Sequence, residues 1–274
     1  MSPRNGYERP AIAGSGTIAT GLAACASTLG EVTLLARSDA SAWRAEEQAQ
    51  AAAVKLEGAV AGHIRVTTDA AQLAGCDLVV EAITEDPDAK AELLAEVGKA
   101  APDADLATTT SSLSVADLGQ RTGHADRFFG LHVFNPVTRM ELVEVCVPEG
   151  ARPGVAERAT AWCAALDKIP VEVPDSAGFV VNRLLFPYLF DAVRMLERTG
   201  LPAAAIDDCM RLGAGHPMGP LKLLDFVGLD VALAIGQTLH AESSQEAHLP
   251  PKTISEMVST GKLGRKAGEG FYSY

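Results

Sequence analysis

Eight short apolar runs recur along the first two thirds of the chain, each followed by a stretch that reads as helix or turn, and this rhythm limits the fold more than any other feature. The candidate strands lie near residues 10–13, 31–36, 64–67, 76–82, 105–109 and 128–133, with two more around 140–147 and 169–173. Strands that alternate with helical segments form parallel pairs joined by crossovers, so the expected class is α/β, a mostly parallel sheet wrapped by helices. A helix is expected over Val155–Leu166, between the last two strands.

The pattern changes after Val173-Pro174-Asp175-Ser176-Ala177-Gly178. Proline, glycine and an acid suited to helix capping mark a boundary there, giving domains 1–174 and 175–274. From Phe179 onward the apolar spacing is helical, as in FVVNRLLFPYLFDAVRMLERTG, apart from a short candidate strand at Phe271–Tyr274. An all-helical C-terminal domain this small and this apolar is a candidate dimerisation platform, so a homodimer is expected.

Charge narrows the partners. The 274 residues carry 35 acids against 23 Lys and Arg, a net charge of −12. A nucleic-acid backbone demands clustered cations, so no nucleic-acid partner is expected; a small anion needs only a local basic patch. No apolar run reaches the ~18 residues of a membrane-spanning helix, and no membrane partner is expected. Met1-Ser2-Pro3-Arg4-Asn5-Gly6-Tyr7 shows no leader-like apolar stretch. Cys25, Cys76, Cys146, Cys163 and Cys209 lack paired or CxxC spacing, which reads as reduced thiols in a cytoplasmic protein with no metal site.

Between the first strand and the first helix stands Gly14-Ser15-Gly16-Thr17-Ile18-Ala19. Gly14 permits a tight turn, Gly16 lets backbone amides approach a pyrophosphate, and the helix beginning near Thr17 points its positive end at that charge. Gly14, Gly16, Thr17 and Ile18 are therefore candidate dinucleotide-binding residues. The carboxylate that holds an adenosine ribose is expected at the end of the second strand, where this chain has Ala36 followed by Arg37 and Ser38. A guanidinium and a hydroxyl suit a 2′-phosphate, so NADP is the expected cofactor, with NAD the alternative. The competing reading makes Arg37 a solvated loop residue and gives the ribose to Asp39.

Four further stretches carry chemistry: TTTSSLS (108–114), GLHVFNP (130–136), MELVEV (140–145) and DSAGFVVNRLLFPYL (175–189). Ser111 follows a predicted strand at the edge where open α/β sheets bind ligands, although a helix N-cap would also explain a serine there. His132 closes another strand ahead of Asn135-Pro136, and histidine suits proton transfer near neutral pH. Glu144, flanked by Val143 and Val145, shares a strand face with Leu142 and Met140. A carboxylate on an apolar face is costly unless paired, and an imidazolium is an obvious partner.

These segments together resemble the 3-hydroxyacyl-CoA dehydrogenase family in its short, monofunctional 3-hydroxybutyryl-CoA dehydrogenase form. GHPMGPLKLLDFVGLD (215–230) and LGRKAGEGFYSY (263–274) resemble it as well, so the likeness covers nearly the whole chain. It implies a Rossmann-like domain followed by a dimerising helical one, and interconversion of (S)-3-hydroxyacyl and 3-oxoacyl thioesters. It implies that His132 is the general acid/base, that Glu144 orients it, that Ser111 and Asn182 bind the reacting oxygen or thioester, and that Asn135 helps position His132. Glu85 and Lys90 match family positions near the nicotinamide, although a helix surface would equally explain Lys90.

The chain departs from the family pattern in three places. Ala36 stands where family members usually have an acid, Thr109 replaces an asparagine, and residues 39–63 are shorter and less lysine-rich than the hairpin that contacts CoA. An acyl-CoA is the expected substrate. One alternative is a hydroxyacyl group on an acyl carrier protein, which predicts a basic ring drawn from Arg121, Arg127, Arg139 and Arg183. Another is an inactive nucleotide-binding protein, against which the retained Ser111, His132, Glu144 and Asn182 set argues.

Overall fold

The computed structural model describes residues 6–274, so the expectation of no leader concerns residues that lie largely outside the described ones. The chain divides into two compact units, the first ending at Ser176 and the second running Ala177–Tyr274. The first holds one sheet of eight strands: β1 (Pro10–Ala13), β2 (Val32–Leu35), β3 (Ile64–Thr67), β4 (Leu78–Glu81), β5 (Asp105–Thr108), β6 (Phe128–Val133), β7 (Leu142–Cys146) and β8 (Ile169–Glu172). Each falls inside an expected run. Their spatial order is β3-β2-β1-β4-β5-β6-β7-β8, and every neighbouring pair is parallel except β6 with β7. Strands β1, β4, β5 and β6 are buried at every residue, as suits parallel strands covered on both faces, while the edge strand β8 is mostly exposed.

The connecting helices are α1 (Thr17–Ala26), α2 (Asp39–Ala53), α3 (Pro87–Ala100), α4 (Val115–Thr122) and α5 (Val155–Ala165). Helix α1 buries all but its first two residues. Helix α2 presents Ala45, Ala49 and Ala53 inward, four residues apart on one face, and their small side chains let it pack closely on α1. A Cβ on Gly21 would stand 3.0 Å from Cβ of Val137, so α1 meets the loop after β6 with room for little more than hydrogen. From β1 the sheet grows one way through β2 and β3 and the other way through β4. The chain therefore leaves the two central strands toward opposite faces, opening a crevice at their C-terminal ends.

The second unit contains α6 (Val181–Thr199), α7 (Ala203–Asp208) with a π turn over Cys209–Gly213, α8 (Pro220–Val227), α9 (Leu229–Ser243) and α10 (Lys252–Ser259). Phe186, Phe190, Leu224, Leu239 and Ile254 are among its core residues. The expected strand at Phe271–Tyr274 is not formed; that stretch contributes one isolated bridge, between Ser273 and Glu269. Asp225 holds the tail instead, accepting from the Phe271 and Tyr272 N–H groups at 2.9 Å each and from the Tyr274 hydroxyl at 3.2 Å. Asp207 caps α8, accepting from Leu221 N–H at 2.8 Å and Lys222 N–H at 2.9 Å, and takes the Tyr272 hydroxyl at 2.7 Å. The two C-terminal signature stretches thus form one fixture built on two buried carboxylates. No single described helix is long and apolar enough to cross a membrane.

Candidate active site

Gly14 leaves β1 at φ +153°, where L side chains rarely go, and a Cβ there would collide with the Ala82 carbonyl oxygen. Gly16 N-caps α1 without a side-chain hydrogen bond, so the first amides of the helix are left for an anion. A Cβ on Gly16 would meet nothing within 4 Å, because the residue faces open space. That space is a cleft of about 800 Å³ lined by Gly16, Thr17, Ile18, Arg37, Thr109 and, on α3, Glu92 and Glu96. A recess of about 250 Å³, walled by Gly14, Ala36, Arg37, Thr68 and Glu96, lies at the end of β2. The uncapped helix end and the cleft beside it fit a dinucleotide.

The three residues weighed for the 2′ position separate. Arg37 is exposed and lines both the cleft and the recess. The Ser38 hydroxyl accepts from Ser41 N–H at 3.4 Å, and the Ser41 hydroxyl accepts from Ser38 N–H at 3.1 Å, a reciprocal cap on α2. Asp39 accepts a hydrogen bond from the Thr68 hydroxyl at 3.4 Å. Neither Ser38 nor Asp39 lines the cleft or the recess.

His132 lies one residue before the end of β6, and antiparallel pairing sets Glu144 of β7 directly opposite. Nδ1 of His132 is 2.6 Å from Oε2 of Glu144, and both side chains are buried. The Phe134 ring stands 4.5 Å from the imidazole, centroid to centroid. An ionised carboxylate only accepts, so Nδ1 carries the hydrogen of this pair. Asn135 follows on an exposed loop, joined to Pro136 by a cis peptide, and lines a second cleft of about 640 Å³ with Thr20, Lys55 and Arg139.

Ser111 does not cap a helix. That role on α4 belongs to Ser114, which accepts from Asp117 N–H at 3.2 Å, and to Asp175, which accepts from Val115 N–H at 3.0 Å and Ala116 N–H at 2.8 Å. The capping acid at the expected boundary therefore serves an earlier helix and not the one that follows it. Ser111 lies in a turn gathered around Glu85, whose Oε1 accepts from Thr110 Oγ1 at 2.7 Å, Ser111 N–H at 2.8 Å and Ser112 Oγ at 3.0 Å. Burial pushes the Glu85 carboxyl up, but the Lys90 ammonium and these donors outweigh it and hold the group below the usual carboxylate range. Lys90 is 1% exposed, which removes the helix-surface reading of that residue. Its ammonium reaches Glu81 at 2.8 Å and Glu85 at 3.3 Å. Glu81, Thr108, Thr110 and Ser112 were not legible as site residues, although Glu81 ends the apolar run Leu78-Val79-Val80 and offered the same signal that singled out Glu144.

One of the four arginines expected to form a basic ring for a carrier-protein partner is unavailable to it. Arg127 is buried and donates to the carbonyls of Gly98 at 2.9 Å, Ala101 at 3.0 Å and Ala104, near the end of α3. Arg121 is exposed and pairs with Asp88, and Arg139 is exposed as well. In the second unit Asn182 is buried in the first turn of α6, and the adjacent Arg183 pairs with Glu242 at 2.6 Å.

A dinucleotide cleft and a buried imidazole–carboxylate pair on one sheet define the class: an α/β oxidoreductase dependent on a nicotinamide dinucleotide. Residues 10–176 match the family model for "3-hydroxyacyl-CoA dehydrogenase, NAD binding domain", and residues 178–274 match that for "3-hydroxyacyl-CoA dehydrogenase, C-terminal domain". The chain belongs to the 3-hydroxyacyl-CoA dehydrogenase family. It is 42% identical over 216 residues to a probable 3-hydroxybutyryl-CoA dehydrogenase of Deinococcus radiodurans, covering 78% of each chain. Identity is 44% over 214 residues to the human mitochondrial hydroxyacyl-coenzyme A dehydrogenase, covering 77% of this chain and 68% of that one. The crystal structure of (S)-3-hydroxybutyryl-CoA dehydrogenase from Ralstonia eutropha superposes with a TM-score of 0.92 at 34% identity, covering 98% of this chain and 99% of that one.

Proposed function

We propose that the protein interconverts (S)-3-hydroxyacyl-CoA and 3-oxoacyl-CoA, with NADP preferred over NAD. The carrying observation is the His132–Glu144 pair, 2.6 Å apart and buried in the sheet whose C-terminal edge holds the cleft. A bound nicotinamide supplies hydride to C3 in reduction and accepts it in oxidation. His132 handles the accompanying proton: with Nδ1 committed to Glu144, Nε2 gives its hydrogen to the C3 oxygen as the carbonyl becomes an alcohol, and takes it back in the reverse direction. Glu144 fixes the tautomer and stabilises the imidazolium. Ser111, on the turn fastened to Glu85, orients the reacting oxygen. The role of Asn182 rests on the family resemblance.

The NADP preference is supported by Arg37 in the wall of the cleft and by alanine at position 36. A homodimer is supported by the apolar side chains the helical unit exposes, with Leu184 and Leu212 each 71% exposed; light scattering reads its mass. Unpaired cysteines, four of them buried, favour a reducing compartment and hence the cytoplasm. The deciding experiment follows acetoacetyl-CoA reduction with NADPH and NADH in parallel. Turnover is expected with both and faster with NADPH, and His132→Ala should abolish most of it while leaving nucleotide affinity nearly intact. A fully active His132→Ala variant would remove the proton donor and the reading with it.

A further inference from the structure

Glu81 ends β4 with none of its surface exposed, and Lys90 on α3 is 1% exposed. Burying two opposite charges is costly unless good geometry and further hydrogen bonds compensate, and an apolar pair of similar volume often serves stability as well. Here the compensation is thorough. Oε1 of Glu81 accepts from Ile83 N–H at 2.6 Å and from Lys90 at 2.8 Å, while Oε2 accepts from the Thr108 hydroxyl at 2.7 Å and from Lys90 at 3.1 Å. The cluster also extends outward, since Lys90 contacts Oε2 of Glu85 at 3.3 Å and Oε1 of Glu85 collects the turn bearing Ser111. Register places Glu81 beside Ala13 on one side and Thr108 on the other, between the glycine turn and the Ser111 turn.

We propose that Glu81 is a positioning residue for the substrate-binding turn: it fixes Lys90, Lys90 fixes Glu85, and Glu85 holds Ser111 two residues beyond Thr109 of the cleft wall. The proposal rests on the dehydrogenase reading of the same site. Three buried or half-buried charges set in line do what an apolar filler cannot, which is to tie one strand end, one helix and one loop at fixed distances. The charged groups facing Glu85 are Lys90 and, behind it, Glu81; neighbouring Asp86 is turned to the first amides of α3, accepting from Asp88 N–H at 3.1 Å and Ala89 N–H at 2.8 Å. Glu85 gathers the turn as an anion, and Lys90 keeps it one as pH falls.

The test compares Glu81→Gln, Thr108→Val and Lys90→Met with the wild-type enzyme, using acetoacetyl-CoA, nucleotide titration by fluorescence, and the pH profile of kcat/KM. Glu81→Gln is expected to lower kcat at least about tenfold and to raise nucleotide Kd by a smaller factor, since the Ser111 turn loses its anchor while the glycine turn keeps its own. Thr108→Val, which keeps all three charges, is expected to lower kcat about threefold and carries the test if Glu81→Gln does not fold. Lys90→Met should move the acid limb upward, because Glu85 loses its cation. Wild-type kcat in the foldable variants, or an unmoved acid limb, overturns the positioning role. An inactive wild-type enzyme would instead overturn the dehydrogenase reading, so the two failures are distinct.

Discussion

Replacing Arg37 with alanine puts the cofactor preference to a quantitative test. The side chain is exposed and lines both cleft and recess, and the neighbouring position that would otherwise carry a repelling carboxylate is a buried alanine. A phosphate monoester near neutral pH carries about two negative charges. A pair of unit charges about 4 Å apart is worth about 1 kcal/mol in water and about 4 kcal/mol at an effective dielectric near 20, and exposure places Arg37 toward the lower figure. For a doubly charged phosphate this amounts to about 1.5–2.5 kcal/mol, and at about 1.4 kcal/mol per tenfold it weakens NADPH binding by about 10- to 60-fold. NADH lacks the phosphate, so its Kd should change by less than about twofold. Glu96, which lines the same recess, acts in the opposite sense, and Glu96→Gln should tighten NADPH a few-fold. Fluorescence titration of both nucleotides at low salt reads these values directly. Equal losses for NADPH and NADH in Arg37→Ala, or no loss for either, would refute the assignment of the 2′-phosphate to this guanidinium.

Two further outcomes follow from the same geometry. Glu144→Gln keeps the shape of the pair but replaces an acceptor-only carboxylate with an amide, and the loss of a charge-assisted hydrogen bond worth about 1.5–3 kcal/mol should lower kcat/KM by about 10- to 150-fold while nucleotide Kd stays put; a variant within twofold of wild type would deny Glu144 its orienting role. Burial lifts the Asp225 carboxyl above its usual range despite the donors from Phe271, Tyr272 and Tyr274. The folded chain therefore holds that proton more tightly than the unfolded one, so this group favours folding most on the acid side and less as pH rises from about 3.8 through the folded value. Asp225→Asn should remove that slope and, near neutrality, cost about 1–3 kcal/mol through the acceptor lost opposite Tyr272 N–H. Urea unfolding across the acid range checks it, and parallel curves for variant and wild type would contradict it.

Local patterns in the chain were enough for the sheet and for the central pair. Buried parallel strands read as continuous apolar runs, which is why all eight could be located. Two-residue alternation put Glu144 on the face of Leu142, and a lone acid on that face required a cation. The glycine turn was equally local, because steric demand at Gly14 depends on the residue itself. Lys90 was ambiguous for the opposite reason. On a helix, whether a lysine meets water or a carboxylate depends on the strand behind it, and Glu81 is nine positions back in the chain. Arg127 fails as a surface cation because α3 ends over it, and the cap that Ser38 makes on α2 is set by Ser41, three residues on.

Periodicity and turn chemistry, both set by neighbours in sequence, determined the α/β class, the cradle and the expectation that a histidine would meet an acid. Tertiary structure alone decided that the histidine's partner stands directly across a strand pair, and that a carboxylate, an ammonium and a second carboxylate line up behind Ser111. The difference is one of range: periodicity says which face a side chain takes, whereas a buried charge is tolerated or excluded by residues that only folding brings within hydrogen-bond distance.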